Sequence, residues 1–434
     1  MSASFDDVGA RPHTRDRLAN VKIAVTGSIA TDHLMTFDGR FADSLVVEQL
    51  DKISVSFLVN DLQIRRGGVA GNIAFGLGNL GLRPVLIGCV GADFADYGSW
   101  LERHGVDISE VRTSETHHTA RFVCTTDRDM AQMASFYPGA MSEGREVEIG
   151  PISERHDGFD LVLIGAHDPE GMRRNTEECR RRGLPFVADP SQQLAFADGP
   201  FIREIIDGAD YLFTNEYESH LTEKKTGWSG EEILERVGVR VVTKGKDGAT
   251  ILRKGEEPIH VDVAAISGAV DPTGVGDAFR AGFLAGLSWE LDLARCAQVG
   301  SVLAAHVIET VGTQEYVLRT ETFLERLRAA YGDDAVADVQ AHLSCRRPRT
   351  HSTSRVSGIS RSPVSTSTTT SSRWAPTSPR ARSLRPTRTV SFPWGWGRAV
   401  PHRWGGGPRR SGASWTATPF TPRGRCAARR VPSR

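Results

Sequence analysis

Short apolar runs alternate along most of this chain with stretches whose apolar residues recur every third or fourth position. A compact apolar run bounded by turn residues reads as a buried strand, and the longer period reads as a helix with one buried face. Strands are therefore expected at Lys22–Thr26, Pro84–Val90, Leu161–Ile164, Phe186–Ala188, Tyr211–Thr214 and Val239–Thr243. Helices are expected at Ile73–Leu80, Tyr97–His104, Gly171–Arg182, Phe201–Ile206, Tyr217–Lys225 and Glu231–Val237. Beyond them lie a well-buried helix from Ala278 to Leu287, a long apolar helix Leu293–Val311 interrupted by Gly300, and a final amphipathic helix Glu321–Ala330. Regular strand–helix alternation implies an α/β fold, with a mostly parallel sheet covered by helices on both faces.

One region departs from that pattern. Ile53–Val59, Leu62–Ile64, Ala120–Thr125 and Met133–Tyr137 are short and partly alternating, and Asn60-Asp61 between the first two is a hairpin signal. They fit a small accessory sheet, a lid or dimer surface, drawn from about residues 34–66 and 118–138.

Composition sets the two ends of the chain apart. Residues 1–20 are polar and aperiodic and read as a disordered leader. Residues 345–434 hold 19 arginines, five of the eight tryptophans, and no Lys, Asp or Glu. That segment is expected to be disordered. It reads either as a non-native tail, such as translation in a shifted frame, or as an Arg/Trp-rich arm for nucleic acid or membrane. The first is favoured, because the missing lysines and acids look like codon bias. The globular domain is then residues 21–344. Setting those 19 arginines apart leaves residues 1–344 with 34 basic against 53 acidic residues, and an acidic body is a poor general binder of nucleic acid. No apolar run approaches the roughly 20 residues that span a bilayer, and the N-terminus lacks the apolar core of a signal peptide. The six cysteines are widely spaced with no CxxC pair, the pattern of reduced, packed thiols in a cytoplasmic protein.

The candidate chemistry gathers at strand ends. Asp271-Pro272-Thr273-Gly274-Val275-Gly276-Asp277 runs into the Ala278–Leu287 helix, so Asp277 falls in that helix's first turn. Unpaired amides at a helix start hold anions, and Gly274 and Gly276 allow close backbone approach. A carboxylate there would repel a bound phosphate unless it faces a reacting hydroxyl. The combination suggests phosphoryl transfer, with amides taking developing charge and Asp277 taking a proton. Gly67-Gly68 opens the Ile73–Leu80 helix, with Asn72 one turn in, either capping a tight turn or reaching a sugar hydroxyl. Asn215 and Glu218 have NxxE spacing, which reads either as a helix-start acid favoured by the dipole or as a pair ordering the hydration shell of Mg²⁺. Gly245-Lys246-Asp247-Gly248 is first of all a hairpin turn. Gly76-Leu77-Gly78-Asn79-Leu80-Gly81 matches GxGxxG but closes a helix, which excludes a dinucleotide fingerprint and makes Gly81 a C-terminal cap. His306, among apolar neighbours, reads as a core histidine.

Taken in order, Gly67-Gly68 with Asn72, Asn215 with Glu218, and Asp271 through Asp277 resemble the motifs of the ribokinase-like (PfkB) carbohydrate and nucleoside kinases, over about Val21 to Ala341. The blocks Thr26–Leu34, Ser135–Ala140, Asp189–Gln193 and Gly312–Glu315 look most like actinobacterial, mycobacterial-type adenosine kinases. The family loop usually reads D-T-x-G-A-G-D. Here Pro272 and Val275 replace the Thr and Ala, so any role of that hydroxyl is lost. The resemblance implies that Asp277 is the base for the ribose 5′-hydroxyl, and that the amides around Gly274, Val275, Gly276 and Asp277 form an anion hole. By the same resemblance Asp32, Gly68 and Asn72 would hold the ribose 2′- and 3′-hydroxyls in a pocket lined by Ser28. Phe122 and Phe136 would enclose the purine, with Gln192 and Gln193 as weaker purine contacts. Asn215, Thr243, Gly245 and Gly248 would serve ATP, Glu218 would act on Mg²⁺ through water, and the turn at Asp271 would take K⁺ as a second ion. The expected partners are adenosine, ATP and a second copy of the chain docked through the lid strands. The rival readings are a ribose- or fructose-type sugar kinase of the same fold and a non-catalytic nucleoside-binding protein.

Overall fold

The computed structural model describes residues 21–44 and 55–344. The leader, the Arg-rich tail and the first two residues of the strand expected at Ile53–Val59 lie outside the described residues.

The strands are β1 (Ile23–Thr26), β2 (Ala30–Thr36), β3 (Asp61–Gly67), β4 (Val85–Val90), β5 (Asp107–Thr113), β6 (Ala120–Thr126) and β7 (Gln132–Tyr137). They continue with β8 (Leu161–Gly165), β9 (Phe186–Asp189), β10 (Tyr211–Asn215), β11 (Val239–Thr243), β12 (Ala249–Leu252) and β13 (Ile259–Val261). Nine of them form one sheet in the order β13-β12-β11-β10-β9-β8-β1-β4-β5. It is parallel from β11 to β5, and β12 and β13 add on antiparallel. The parallel strands therefore all end along one edge.

Alternation within strands divides the core into two layers. Ile23 and Val25 pack into one, with the helices Val69–Asn79, Val275–Ser288 and Leu293–Ile308. Ala24 packs into the other, with Ile149–Arg155, Pro169–Arg182 and Gly199–Ile206. Burying each Leu, Ile or Phe contributes roughly 1.5–3 kcal/mol, so a doubly covered sheet of this kind is strongly held. The last two helices of the first layer touch almost backbone to backbone: a Cβ on Gly282 would lie 2.6 Å from the Cα of Gly300. That contact backs the helix that carries Asp277.

Four strands form a separate sheet in the order β3-β2-β6-β7. The accessory sheet is present, but one of its strands is not the one expected. Residues 55–59 carry no regular structure, and Ala30–Thr36 supplies the strand instead. Phe57 uses its apolar surface in a cluster with Phe37 and Phe41, at ring separations of 4.9 Å to each. Thr31-Asp32-His33 escapes an apolar-run criterion because β2 is only half-buried. The edge strand β5 was missed for the same reason. A helix Asp333–Ser344 follows Thr320–Tyr331, so Glu321–Ala330 does not mark the last helix. The GxGxxG run lies at the end of Val69–Asn79, with Gly81 at φ 95°. His306 stacks on Phe323 at 6.0 Å and is pushed down to about 4 by burial and by Arg326.

Candidate active site

The Val275–Ser288 helix starts abruptly. Gly274 sits in the left-handed region at φ 74°, where a Cβ would come within 2.8 Å of Thr313 Cγ2. Asp271 fastens the preceding turn: its Oδ1 accepts from the Thr273 amide at 2.9 Å and its Oδ2 from the Gly312 amide at 2.9 Å. No side chain caps the helix. Ala278 N is the first to reach a carbonyl one full turn back, at 2.9 Å from Gly274 O, and Val275 N makes only a 3.4 Å turn contact to Pro272 O. The amides of Gly276 and Asp277 are left as outward donors, the arrangement an anion requires.

Asp277 lies beside those donors and is held by Asn72, whose Nδ2 donates to its Oδ2 at 2.8 Å. Asn72 is buried and its other end is also committed. Its Oδ1 accepts from Gln314 Nε2 at 2.9 Å and lies 2.8 Å from Thr313 Oγ1. Gln314 Nε2 also reaches Tyr97 Oη at 2.6 Å, and Tyr97 donates to the Gly67 carbonyl at 2.9 Å. A continuous chain of hydrogen bonds thus runs from Asp277 to the glycine turn at the start of the Val69–Asn79 helix. Burial pushes the Asp277 carboxyl up to about 7, against the opposing pull of the Asn72 hydrogen bond and of Arg280; Asp189 and Glu218 push the same way as burial.

Arg280 went unnoticed in the sequence, although a lone arginine in the otherwise apolar run Ala278–Leu287 is itself a signal. It is only 1 % exposed. Its Nε lies 2.6 Å from Asp189 Oδ2, its Nη2 lies 4.0 Å from Glu218 Oε2, and its Nη1 donates to the Gly276 carbonyl at 3.1 Å. Tyr97, Thr313 and Gln314 were also missed as site residues, because each reaches the site through neighbours distant in sequence.

The small sheet borders the Asp271 turn and the Gly312–Glu315 stretch. Register places Arg65, Asp32, Phe122 and Phe136 in one row across β3, β2, β6 and β7. Residues paired in register share a face, so a carboxylate stands beside two aromatic rings. Asp32 is pushed up to about 7 by burial first, then by the charges of Glu315 and Asp271, with Arg65 opposing. Gly68, at φ 90°, passes so close to β2 that a Cβ would meet Ser28 O at 2.5 Å. Ser28 is buried, and its hydroxyl accepts from the Val69 amide at 3.0 Å. It therefore caps the Val69–Asn79 helix.

Along the parallel edge, Asn215 and Thr243 are register partners on β10 and β11. Asn215 and Glu218 form a reciprocal capping box at 2.8 Å in each direction, so both readings of the NxxE spacing share the same atoms. Gly245 and Gly248, at φ 58° and 81°, shape the β11–β12 turn. Gln193 spends its Nε2 on the His167 carbonyl at 2.7 Å, and Gln192 is exposed. Neither glutamine is joined to the site by a hydrogen bond. Among the described residues no group of three or more His, Cys, Asp or Glu is placed to hold a metal ion.

A partly buried carboxylate beside free amides at an uncapped helix start suits phosphoryl transfer to a hydroxyl compound. The chain belongs to the pfkB family of carbohydrate kinases, whose model matches residues 30–320. A nucleoside kinase of Methanocaldococcus jannaschii is 29 % identical over 308 residues, covering 70 % of this chain and 96 % of the relative. The solved structure of a Burkholderia thailandensis nucleoside kinase in complex with inosine is 34 % identical, with TM-score 0.61, covering 72 % of this chain and 98 % of that one. The structure of the same enzyme in complex with ADP-inosine is 35 % identical, again with TM-score 0.61, covering 72 % and 96 %. The fold is thus ribokinase-like, and the chain is an ATP-dependent nucleoside or sugar kinase of this family.

Proposed function

We propose that this protein transfers the γ-phosphoryl group of ATP to the ribose 5′-hydroxyl of a purine nucleoside, adenosine foremost, giving the nucleoside 5′-monophosphate and ADP. The observation that carries this reading is the row Asp32–Phe122–Phe136. A carboxylate accepts hydrogen bonds from the ribose 2′- and 3′-hydroxyls, and aromatic faces beside it suit a purine. A free sugar has no group for those rings to cover. The sequence blocks described above favour adenosine over inosine.

In the reaction the 5′-oxygen attacks the γ-phosphorus. The O5′–P bond forms as the bond from phosphorus to the β,γ-bridging oxygen breaks, and ADP takes that electron pair. Asp277, ionised, accepts the 5′-hydroxyl proton, with Asn72 fixing its orientation. The amides of Gly276 and Asp277 receive the charge that builds on the transferred group. Gly68 brings backbone to the ribose, and Thr243, Gly245 and Gly248 lie along the ATP side. Bound Mg²⁺ would neutralise phosphate charge. Glu218 and Asn215 would hold its water shell, which fits a cation bound chiefly by phosphates and water. Both Asp271 oxygens hold backbone amides, so a K⁺ ion at this turn would rest mainly on carbonyls. The buried free thiols of Cys89, Cys124, Cys179 and Cys296 suit a cytoplasmic setting. The outer face of the small sheet exposes Leu62, Ile64, Met133 and Tyr137, which supports pairing of two copies through the lid.

A panel of adenosine, inosine, ribose and fructose with ATP tests the reading. Nucleosides should be turned over with kcat/KM at least tenfold above either sugar, and Phe122→Ala should erase that preference. Turnover of ribose or fructose alone would overturn it.

A further inference from the structure

Arg280 is a buried charge that the proposed mechanism leaves unused. Its guanidinium is the meeting point of three elements. One is its own helix, through the Gly276 carbonyl at 3.1 Å. The second is the end of β9, through Asp189 at 2.6 Å. The third is the start of the Glu216–Thr226 helix, through Glu218 at 4.0 Å. Asp189 is wholly buried and Glu218 nearly so. Removing a charge from water costs several kcal/mol even after relaxation, so hydrophobic packing alone would favour an apolar side chain here. Its Nε and Nη2 make no hydrogen bond: Nε is held to Asp189 as an ion pair, and Nη2 lies 4.0 Å from Glu218 Oε2. The charge is retained where it touches the backbone of the anion-binding turn.

We infer that Arg280 is a positioning residue for phosphoryl transfer: it locks the amide-bearing turn at Gly276-Asp277 to Asp189 and to Glu218, so that the base and the metal-side acid move as one unit. Gly276 O and the Asp277 N–H belong to a single peptide group, so a donor on that carbonyl fixes the plane of the amide that faces the phosphate. Arg280 also supplies positive charge that acts on Asp277. The groups facing Asp277 are Asn72 from the Val69–Asn79 helix, Arg280 from its own helix, Asp189 from β9 and Glu218 from the Glu216–Thr226 helix. Of these, only Arg280 carries positive charge, and it favours the ionised base.

The inference rests on the kinase reading, and the test separates the two. The full-length wild type is first assayed for the alcohol it phosphorylates, and Arg280→Lys and Arg280→Gln are then compared with it on that same acceptor. Lysine keeps the charge and loses the fork; glutamine loses the charge. Displacement of reacting groups by about 1 Å costs up to about 100-fold in rate. In both variants kcat should fall 10- to 100-fold, with acceptor KM within about threefold of wild type. The acid limb of the kcat–pH profile should move to higher pH in Arg280→Gln and stay nearer wild type in Arg280→Lys. If the glutamine variant does not fold, the kcat–KM split in the lysine variant decides. Unchanged kcat and pH profile would overturn the inference. So would a loss of kcat that merely tracks lowered Tm and weakened acceptor binding, since that marks a structural role.

Discussion

Asp277 must be a carboxylate to accept a proton, yet it is set where burial resists ionisation. Burial wins by enough to raise it to about 7, which places the proposed base near the working pH of a cell. Activity with nucleoside should therefore rise with pH through about 7, because only the ionised form is the base. A pH profile of kcat/KM, which reports the ionisations of the free enzyme, checks this. Linkage gives a second expectation. A carboxyl raised above its unfolded value stabilises the fold fully below that value, and the contribution is lost as pH rises through the folded value. For Asp277 and Asp32 the window is about 4 to 7. Ligand-free Asp277→Asn should thus gain Tm over wild type at pH 8, and the gain should shrink by pH 5.

At the scale of elements, the decisive device is the left-handed Gly274. An L-residue there meets backbone strain of about 1–2 kcal/mol and a clash with Thr313, which itself lies against Asn72. Gly274→Ala should lower Tm and cut kcat together, readable by thermal melts beside steady-state rates. The elements show what could be read without coordinates. The buried strands and helices have periods of their own, so β1, β4 and β8 to β11 are legible in the chain. Strands β2 and β5 are half-buried and polar, and their identity comes from neighbours. Asp277, Gly274 and Asn72 announce themselves through local pattern. Asp189, Tyr97 and Gln314 become site residues only when folding brings residues roughly 90 to 240 positions apart into an ion pair or a hydrogen bond.

For the whole molecule, the small sheet has two faces with different work. One carries Asp32, Phe122 and Phe136; the other leaves Leu62 52 % and Ile64 62 % exposed. In the proposed pairing of two copies, the apolar side chains on this outer face are covered by the second copy. Light scattering should give a dimer, and Ile64→Asp should shift it toward monomer. A monomeric wild type would remove that part of the account.

The most direct test asks where the phosphoryl group goes and whether Asp277 sends it there. Purified protein is given ATP, Mg²⁺ and adenosine, and the product is identified by mass and phosphorus NMR for wild type and Asp277→Asn. Wild type should give the 5′-monophosphate, and the variant a rate about 10²–10⁴-fold lower, with adenosine still bound. Phosphorylation at another position, no nucleoside product, or an unaffected Asp277→Asn would contradict it.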